Sequence, residues 1–236
     1  MITLSYQNVT LTNGFLYDKQ MLNENVTIDA VYNRFYDTGR VSAFRCDWQE
    51  GQPNKPHIFW DSDVAKWMEG AAYILKKKAS PELEAKIEEI IDEIEKNQCE
   101  DGYFNSYFIT CAPEKRFTVR DWHELYCAGH LMEAAVAYYE ATGKDRFLKL
   151  MEKYADCIEK AFVTEKTAKF ETPGHQEIEL ALIRMYRATE NLRYLKLAKF
   201  FLDRRGYEPV GLPKSTQSHL PVREQTEAAG HCVRAQ

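Results

Sequence analysis

No stretch of this chain is apolar over anything near the roughly 20 residues that a membrane-spanning helix requires. Its opening, MITLSYQNVTLTNGF, has neither the basic start nor the apolar centre of a secretory signal. A cytoplasmic protein with no membrane partner is expected. Blocks of like charge are missing too: the net charge of −5 comes from interspersed Lys and Glu, which argues against nucleic acid or anionic lipid as the principal partner. The six cysteines, Cys46, Cys99, Cys111, Cys127, Cys157 and Cys232, form no CxxC pair. Neither a disulfide framework nor a zinc ribbon is suggested, and they read as reduced thiols.

What is present is a globular composition: 236 residues, 44% hydrophobic and 28% charged, are enough for one large domain or two small ones. After a short strand-like N-terminal segment and an early helix near 21–36, two kinds of helical pattern alternate. PELEAKIEEIIDEIEKNQ carries Leu83, Ile87, Ile90, Ile91 and Ile94 on one stripe with charge elsewhere, the pattern of a helix packed on one side. HLMEAAVAYYEATGK is small or apolar around most of its circumference, as a helix buried on nearly all sides should be. By this criterion 62–78, 122–142, 174–189 and 222–236 are inner helices, and 81–97, 145–163 and 192–205 are outer ones.

An internal repeat supports the pairing: YYEATGKDRFLKLMEKYAD matches MYRATENLRYLKLAKFFLD, with Thr142 against Thr189 and Leu148 against Leu195. Repeats of about 20–50 residues mark stacked supersecondary units. The expected fold is all-α, an inner ring of helices inside an outer one, although a curved solenoid of helix pairs has the same local signature. The end of the chain, EQTEAAGHCVRAQ, is helix-like without a stop signal. Residues 1–236 are thus expected to form part of one truncated toroid, with exposed edges that favour self-association.

Several segments could carry chemistry. In DWHELYCAGHLMEAA, His123, Cys127 and His130 share one helix face. Zinc accepts such ligands, yet there are only three and they are not HExxH, and Cys127 beside Ala128 and Gly129 also reads as a packed thiol. In PNKPHIFWDSDVAKWMEG, Trp60 and Trp67 could stack on a sugar ring while Asp61 and Asp63 accept its hydroxyls; capping by Ser62 or Asp61 with both tryptophans in the core explains the same residues. ETPGHQEIELAL sets Glu177 and Glu179 near a helix N-terminus, where capping is a sufficient reason for carboxylates. HLPVREQTEAAGH adds Arg223, Glu224, Glu227 and His231.

PNKPHIFWDSDVAKWMEG, NQCEDGYFNSYF, HELYCAGHLMEAAVAYYEATGK, TPGHQEIELALIRMYRATENLRYLKLAKFFLDRRG and HLPVREQTEAAGHCVRA, in that order, resemble the N-terminal half of the catalytic domain of glycoside hydrolase family 127, the β-L-arabinofuranosidases. The resemblance implies an (α/α)6 barrel followed by β-sandwich domains, and retaining hydrolysis of non-reducing terminal β-L-arabinofuranosyl groups. It also implies a zinc-bound cysteine thiolate as nucleophile and a glutamate as acid/base. In the family those residues follow the point where this sequence stops, and none of its six cysteines matches them. No catalytic residue, metal or cofactor is therefore expected within this chain, which alone should be inactive.

The part of the resemblance that carries over is sugar recognition: His123 of HELY, His175 of TPGH and His231 of EAAGH match the family's substrate-contacting histidines, with Asp61, Asp63 and Trp60 as further candidates. The histidines should converge on one end of the inner helices. The alternative from another class is a non-catalytic helical-repeat module that binds carbohydrate or protein.

Overall fold

The structure, a computed structural model, describes residues 8–205. The expected inner helix at 222–236, His231, and the first seven residues of the strand-like start lie outside them. Among the described residues every regular element is helical, and no strand forms. A long N-terminal rod comprises α1 (Gly14–Leu22), a π-helical turn (Asn23–Thr27) and α2 (Ile28–Asp37). There follow α3 (Trp60–Lys77), α4 (Pro81–Asn97), the short α5 (Ser106–Thr110), α6 (Glu124–Thr142), α7 (Arg146–Glu159, extended by a π turn to Thr164), α8 (Glu177–Thr189) and α9 (Leu192–Arg204).

The alternation read from the sequence is the architecture. Inner helices α3, α6 and α8 pack side by side, and α4, α7 and α9 back them, so the described residues form an arc of an α/α toroid. The α4 stripe is the clearest case: Leu83, Ile87, Ile90, Ile91 and Ile94 are its buried residues. Burying each such side chain fully stabilises by roughly 1.5–3 kcal/mol. Ser80 caps α4 by accepting from the Leu83 N–H at 3.3 Å, with Pro81 in the first helical position, where a missing N–H costs nothing. α6 is buried around most of its girth, from Leu125 through Leu131, Met132 and Ala135 to Tyr138, because α3 and α8 flank it and α7 closes its back. It stops at Gly143, whose φ of 76° supplies the left-handed cap.

α8 starts at Glu177 rather than near 174, because Thr172 to Gln176 form an irregular lead-in. Arginines tie down that lead-in and the first turn of α8. Arg120 donates from Nε to Thr172 O and from Nη2 to Pro173 O, each at 3.1 Å, and buried Arg205 donates to Glu179 Oε1 at 2.9 Å. A Cβ at Gly174 would lie 2.7 Å from Asp121 Oδ1 and 3.0 Å from Arg120 O. Only glycine lets the loop before α8 press against the loop before α6, and this contact places the two loops at one end of the arc.

Candidate functional site

Those two loops carry the first two histidines of the sequence reading. His123 stands at the N-cap of α6 with φ 63°, a left-handed conformation that costs a non-glycine residue of order 1–3 kcal/mol. His175 follows Gly174 two residues before α8. The Tyr126 ring lies between them, 5.5 Å from the His123 ring and 4.7 Å from that of His175, centroid to centroid. Tyr126 also meets His130 edge-on at 4.5 Å, and the Lys66 ammonium sits 4.7 Å from its centroid. His123, Tyr126 and His175 line one narrow cleft with Arg120, Asp121 and Gly174. The result is a polar, aromatic surface able to donate and accept hydrogen bonds at neutral pH.

The acidic and tryptophan candidates do not join it. Asp61 is 1% exposed, and both of its oxygens are taken by Ser106: the backbone N–H donates to Oδ2 at 2.8 Å and the hydroxyl donates to Oδ1. Burial pushes its pKa up to about 6 against those two hydrogen bonds. Asp61 therefore fastens the start of α5 and offers no oxygen to a sugar. Asp63 is ion-paired to Arg40 Nε at 3.1 Å, and the same guanidinium lies 5.1 Å from the Trp60 ring, so these two candidates form a separate patch with Arg40. Trp67, whose Nε1–H donates to Ile28 O at 2.8 Å, belongs to the core. Ser62 hydrogen-bonds Phe59 O at 2.7 Å.

Cys127 is packed, as its small neighbours suggested: it is fully buried, 3.4 Å from Ile58 O, and burial holds its pKa well above the ordinary thiol value. His130, on the same helix face, meets polar groups instead. Its Nδ1 faces carboxylates from two helices, Glu177 Oε1 at 3.1 Å and Glu133 Oε2 at 3.6 Å. Arg184 of α8 donates to Glu133 Oε1 at 2.9 Å, to Glu69 Oε1 of α3 at 2.5 Å, and to the Tyr73 hydroxyl at 3.0 Å. Burial, and then the Glu133 carboxylate, drive the Glu177 pKa up. Burial also works on Glu133, but His130, Glu177 and Arg184 outweigh it and hold Glu133 low. Burial lowers His130 below the ordinary imidazole value.

His130, Glu133 and Glu177 are also where a metal ion could be held among the described residues, with one donor atom from each within 4.8 Å of the others. They are not the cysteine-containing set that the resemblance implies for zinc. The free cysteines Cys46, Cys99, Cys111, Cys127 and Cys157 lie outside the cluster, and burial raises the pKa of every one, Cys46 and Cys157 to about 12. In the metal-free protein burial thus disfavours the thiolate form of each.

Tyr126 and Arg120 are the members of this site that the motifs did not single out. Tyr126 had a signal, since it lies three residues after His123 and four before His130 on one helix face. Arg120 had none, because its carbonyl partners lie in a distant loop.

A family model described as the GH127 catalytic domain of β-L-arabinofuranosidases matches residues 8–236. A non-reducing end β-L-arabinofuranosidase of Bifidobacterium longum subsp. longum is 39% identical over 202 residues, which cover 75% of this chain and 31% of that protein. Among solved structures, a GH127 β-L-arabinofuranosidase from Geobacillus stearothermophilus T6 superposes with a TM-score of 0.87 at 40% identity, covering 97% of this chain and 40% of that one. A second GH127 β-arabinofuranosidase gives a TM-score of 0.86 at 34% identity, over 98% of this chain and 38% of the other. The chain thus spans between about a third and two fifths of the length of these relatives.

Proposed function

The chain belongs to the GH127 β-L-arabinofuranosidase catalytic-domain family, and from that premise we propose that it supplies the sugar-recognising part of a retaining glycoside hydrolase for non-reducing terminal β-L-arabinofuranosides. The observation that carries this reading is the meeting of His123 and His175 across Tyr126 at one end of the inner helices. Each imidazole can donate or accept a hydrogen bond to a furanose hydroxyl. The contact of Gly174 with Asp121 and the Arg120 hydrogen bonds hold the two loops, so the histidines are positioned before substrate arrives.

On this reading the chemical step needs groups that these residues do not supply. A zinc ion would contribute an activated thiolate, and the raised thiol pKa values of the described cysteines give that role to none of them in the metal-free protein. The 236-residue chain alone is accordingly expected to recognise sugar without hydrolysing it.

The test uses the full-length protein that contains these residues and a nitrophenyl β-L-arabinofuranoside. His123→Ala and His175→Ala should each lower kcat/KM by roughly ten- to a hundredfold, the loss of a buried hydrogen bond worth about 1–3 kcal/mol. Asp61→Asn should instead act through stability. Two folded histidine variants with unchanged kcat/KM would return both residues to structure, and preference for another glycoside would move the substrate assignment.

A further inference from the structure

One group of polar side chains on the inner helices is not used by the sugar reading. Its members are forced together: a Cβ at Gly129 of α6 would lie 2.8 Å from Glu177 Cγ, so α8 approaches α6 at a glycine and the Glu177 side chain projects toward His130 and Glu133. Arg184 occupies Glu133 Oε1, which leaves Oε2 on the side of His130. Around this point the hydrogen bonding is incomplete. Glu177 is 7% exposed, and although its Oε1 lies 3.1 Å from His130 Nδ1, neither of these buried atoms makes a hydrogen bond of good geometry, and the buried His130 Nε2 makes none.

Buried polar atoms in native proteins almost always find a protein, water or ion partner. A proton shared between Glu133 and Glu177 relieves their repulsion, but it does not bring His130 Nδ1 and Glu177 Oε1 into a well-formed bond. A cation placed among the three donors takes Nδ1, Glu177 Oε1 and Glu133 Oε2 together. The charge count is compatible: Glu69 and Glu133 balance Lys66 and Arg184, so a Glu177 that gives up its proton to an incoming cation supplies the excess negative charge. One imidazole and two carboxylates, without sulfur, suit a first-row divalent ion that completes its shell with water.

We propose that His130, Glu133 and Glu177 form a divalent-cation site, of the Mn²⁺ or Zn²⁺ class, that pins α8 to α6 beneath the His123–Tyr126–His175 surface. The site is independent of the sugar assignment and, lacking thiolates, is a different centre from the family's cysteine-bound zinc. Arg184 then acts as the orienting partner of a ligand, a role whose loss elsewhere weakens metal binding by about 10–100-fold.

Mn²⁺ is the probe, because its hard, oxygen-favouring chemistry avoids a thiolate centre. Titrated into the intact metal-depleted protein and followed by electron paramagnetic resonance, it should bind saturably at one site, show echo modulation from a single imidazole nitrogen, and raise the Tm. Glu177→Gln and His130→Gln, checked for native helicity by circular dichroism, should weaken binding more than about tenfold and abolish the Tm shift. The nitrogen modulation keeps the test decisive even if both variants misfold. Absence of saturable binding, bound Mn²⁺ without nitrogen modulation, or equal affinity in folded variants would overturn the site and leave water or a shared proton in its place.

Discussion

Two arginines show how the inner and outer helices use the same chemistry differently. Arg184 on α8 bridges Glu69 of α3 and Glu133 of α6, with side-chain exposures of 21%, 17% and 9%. Arg146 at the start of α7 bridges Glu88, Asp92 and Glu95 of α4, and its own side chain is 39% exposed. Both tie neighbouring helices through carboxylates. The inner arginine does so where water is scarce, so every group there depends on its partner; the outer one does so in a medium that would solvate each charge anyway.

The carboxyl groups respond in opposite directions. Burial governs inside: Asp61 is raised to about 6 and Glu124 to about 7, although each accepts two hydrogen bonds. Partners govern outside: Glu88 is held at about 2 by Tyr138, Lys144 and Arg146 despite some burial. Burial thus prevails at Asp61 and Glu124, while charged or hydrogen-bonding partners prevail at Glu88 outside and at Glu133 beside Arg184 inside. The difference between the two regions can be tested in three ways, in descending size of effect.

The sharpest is Arg184→Met. Removing the guanidinium leaves Glu69 and Glu133 facing each other in a mostly buried place, and breaking such a pair by deleting one partner costs about 3–5 kcal/mol. Urea denaturation should show this loss at neutral pH and a smaller one in acid, where the stranded carboxyls protonate. A loss under about 1 kcal/mol would mean that the interior behaves like the surface.

Next comes the pH dependence of stability. Glu124 accepts from the Tyr103 hydroxyl at 2.6 Å and from the Phe117 N–H at 2.7 Å, yet burial keeps its proton on until about pH 7, against 4.5 for an ordinary glutamate. Between those values the folded chain binds more protons than the unfolded one. Glu124's contribution is therefore fully present below pH 4.5 and is lost as pH rises through 7, at about 1.4 kcal/mol per unit inside the window. Asp61 adds a slope of the same sign from 3.8 to about 6. Denaturation midpoints should fall across this range, and Glu124→Gln should flatten the upper part. Glu88, with its lowered value, loses its contribution only as pH falls from 4.5 toward 2, below that window.

The same contrast explains what could be read from the sequence. The outer stripe Leu83, Ile87, Ile90, Ile91 and Ile94, the all-round burial of α6 and the stop at Gly143 are local patterns, and the structure repeats them. The meeting of His123 with His175 was legible through the motifs that carry them. The partners of Asp61 and His130 were not: Ser106 lies 45 residues from Asp61, and Glu177 belongs to a helix that reaches His130 only because Gly129 allows a close approach. Nothing local distinguishes an aspartate that caps a distant helix from one that faces a ligand. His231, the third histidine of the sequence reading, lies outside the described residues.

The smallest expected effect is on the outside. Arg146 touches three carboxylates, at 2.5 Å from Glu88, 2.5 Å from Asp92 and 3.0 Å from Glu95. A count of contacts would rank it above Arg184. Exposure reverses that order: each outer carboxylate can exchange the guanidinium for water, Lys144 remains on Glu88 at 3.0 Å, and the Tyr138 hydroxyl still donates to it. Arg146→Ala should therefore cost no more than about 1 kcal/mol at low salt. The loss should shrink further in 1 M salt, where the Debye length falls to about 3 Å. An NMR titration of Glu88 should show its pKa moving up from about 2 toward the ordinary value while the Tyr138 and Lys144 hydrogen bonds keep it from arriving there. A destabilisation as large as that of Arg184→Met, or one indifferent to salt, would show that the outer ladder is as dependent on its arginine as the inner cluster and would remove the distinction between them.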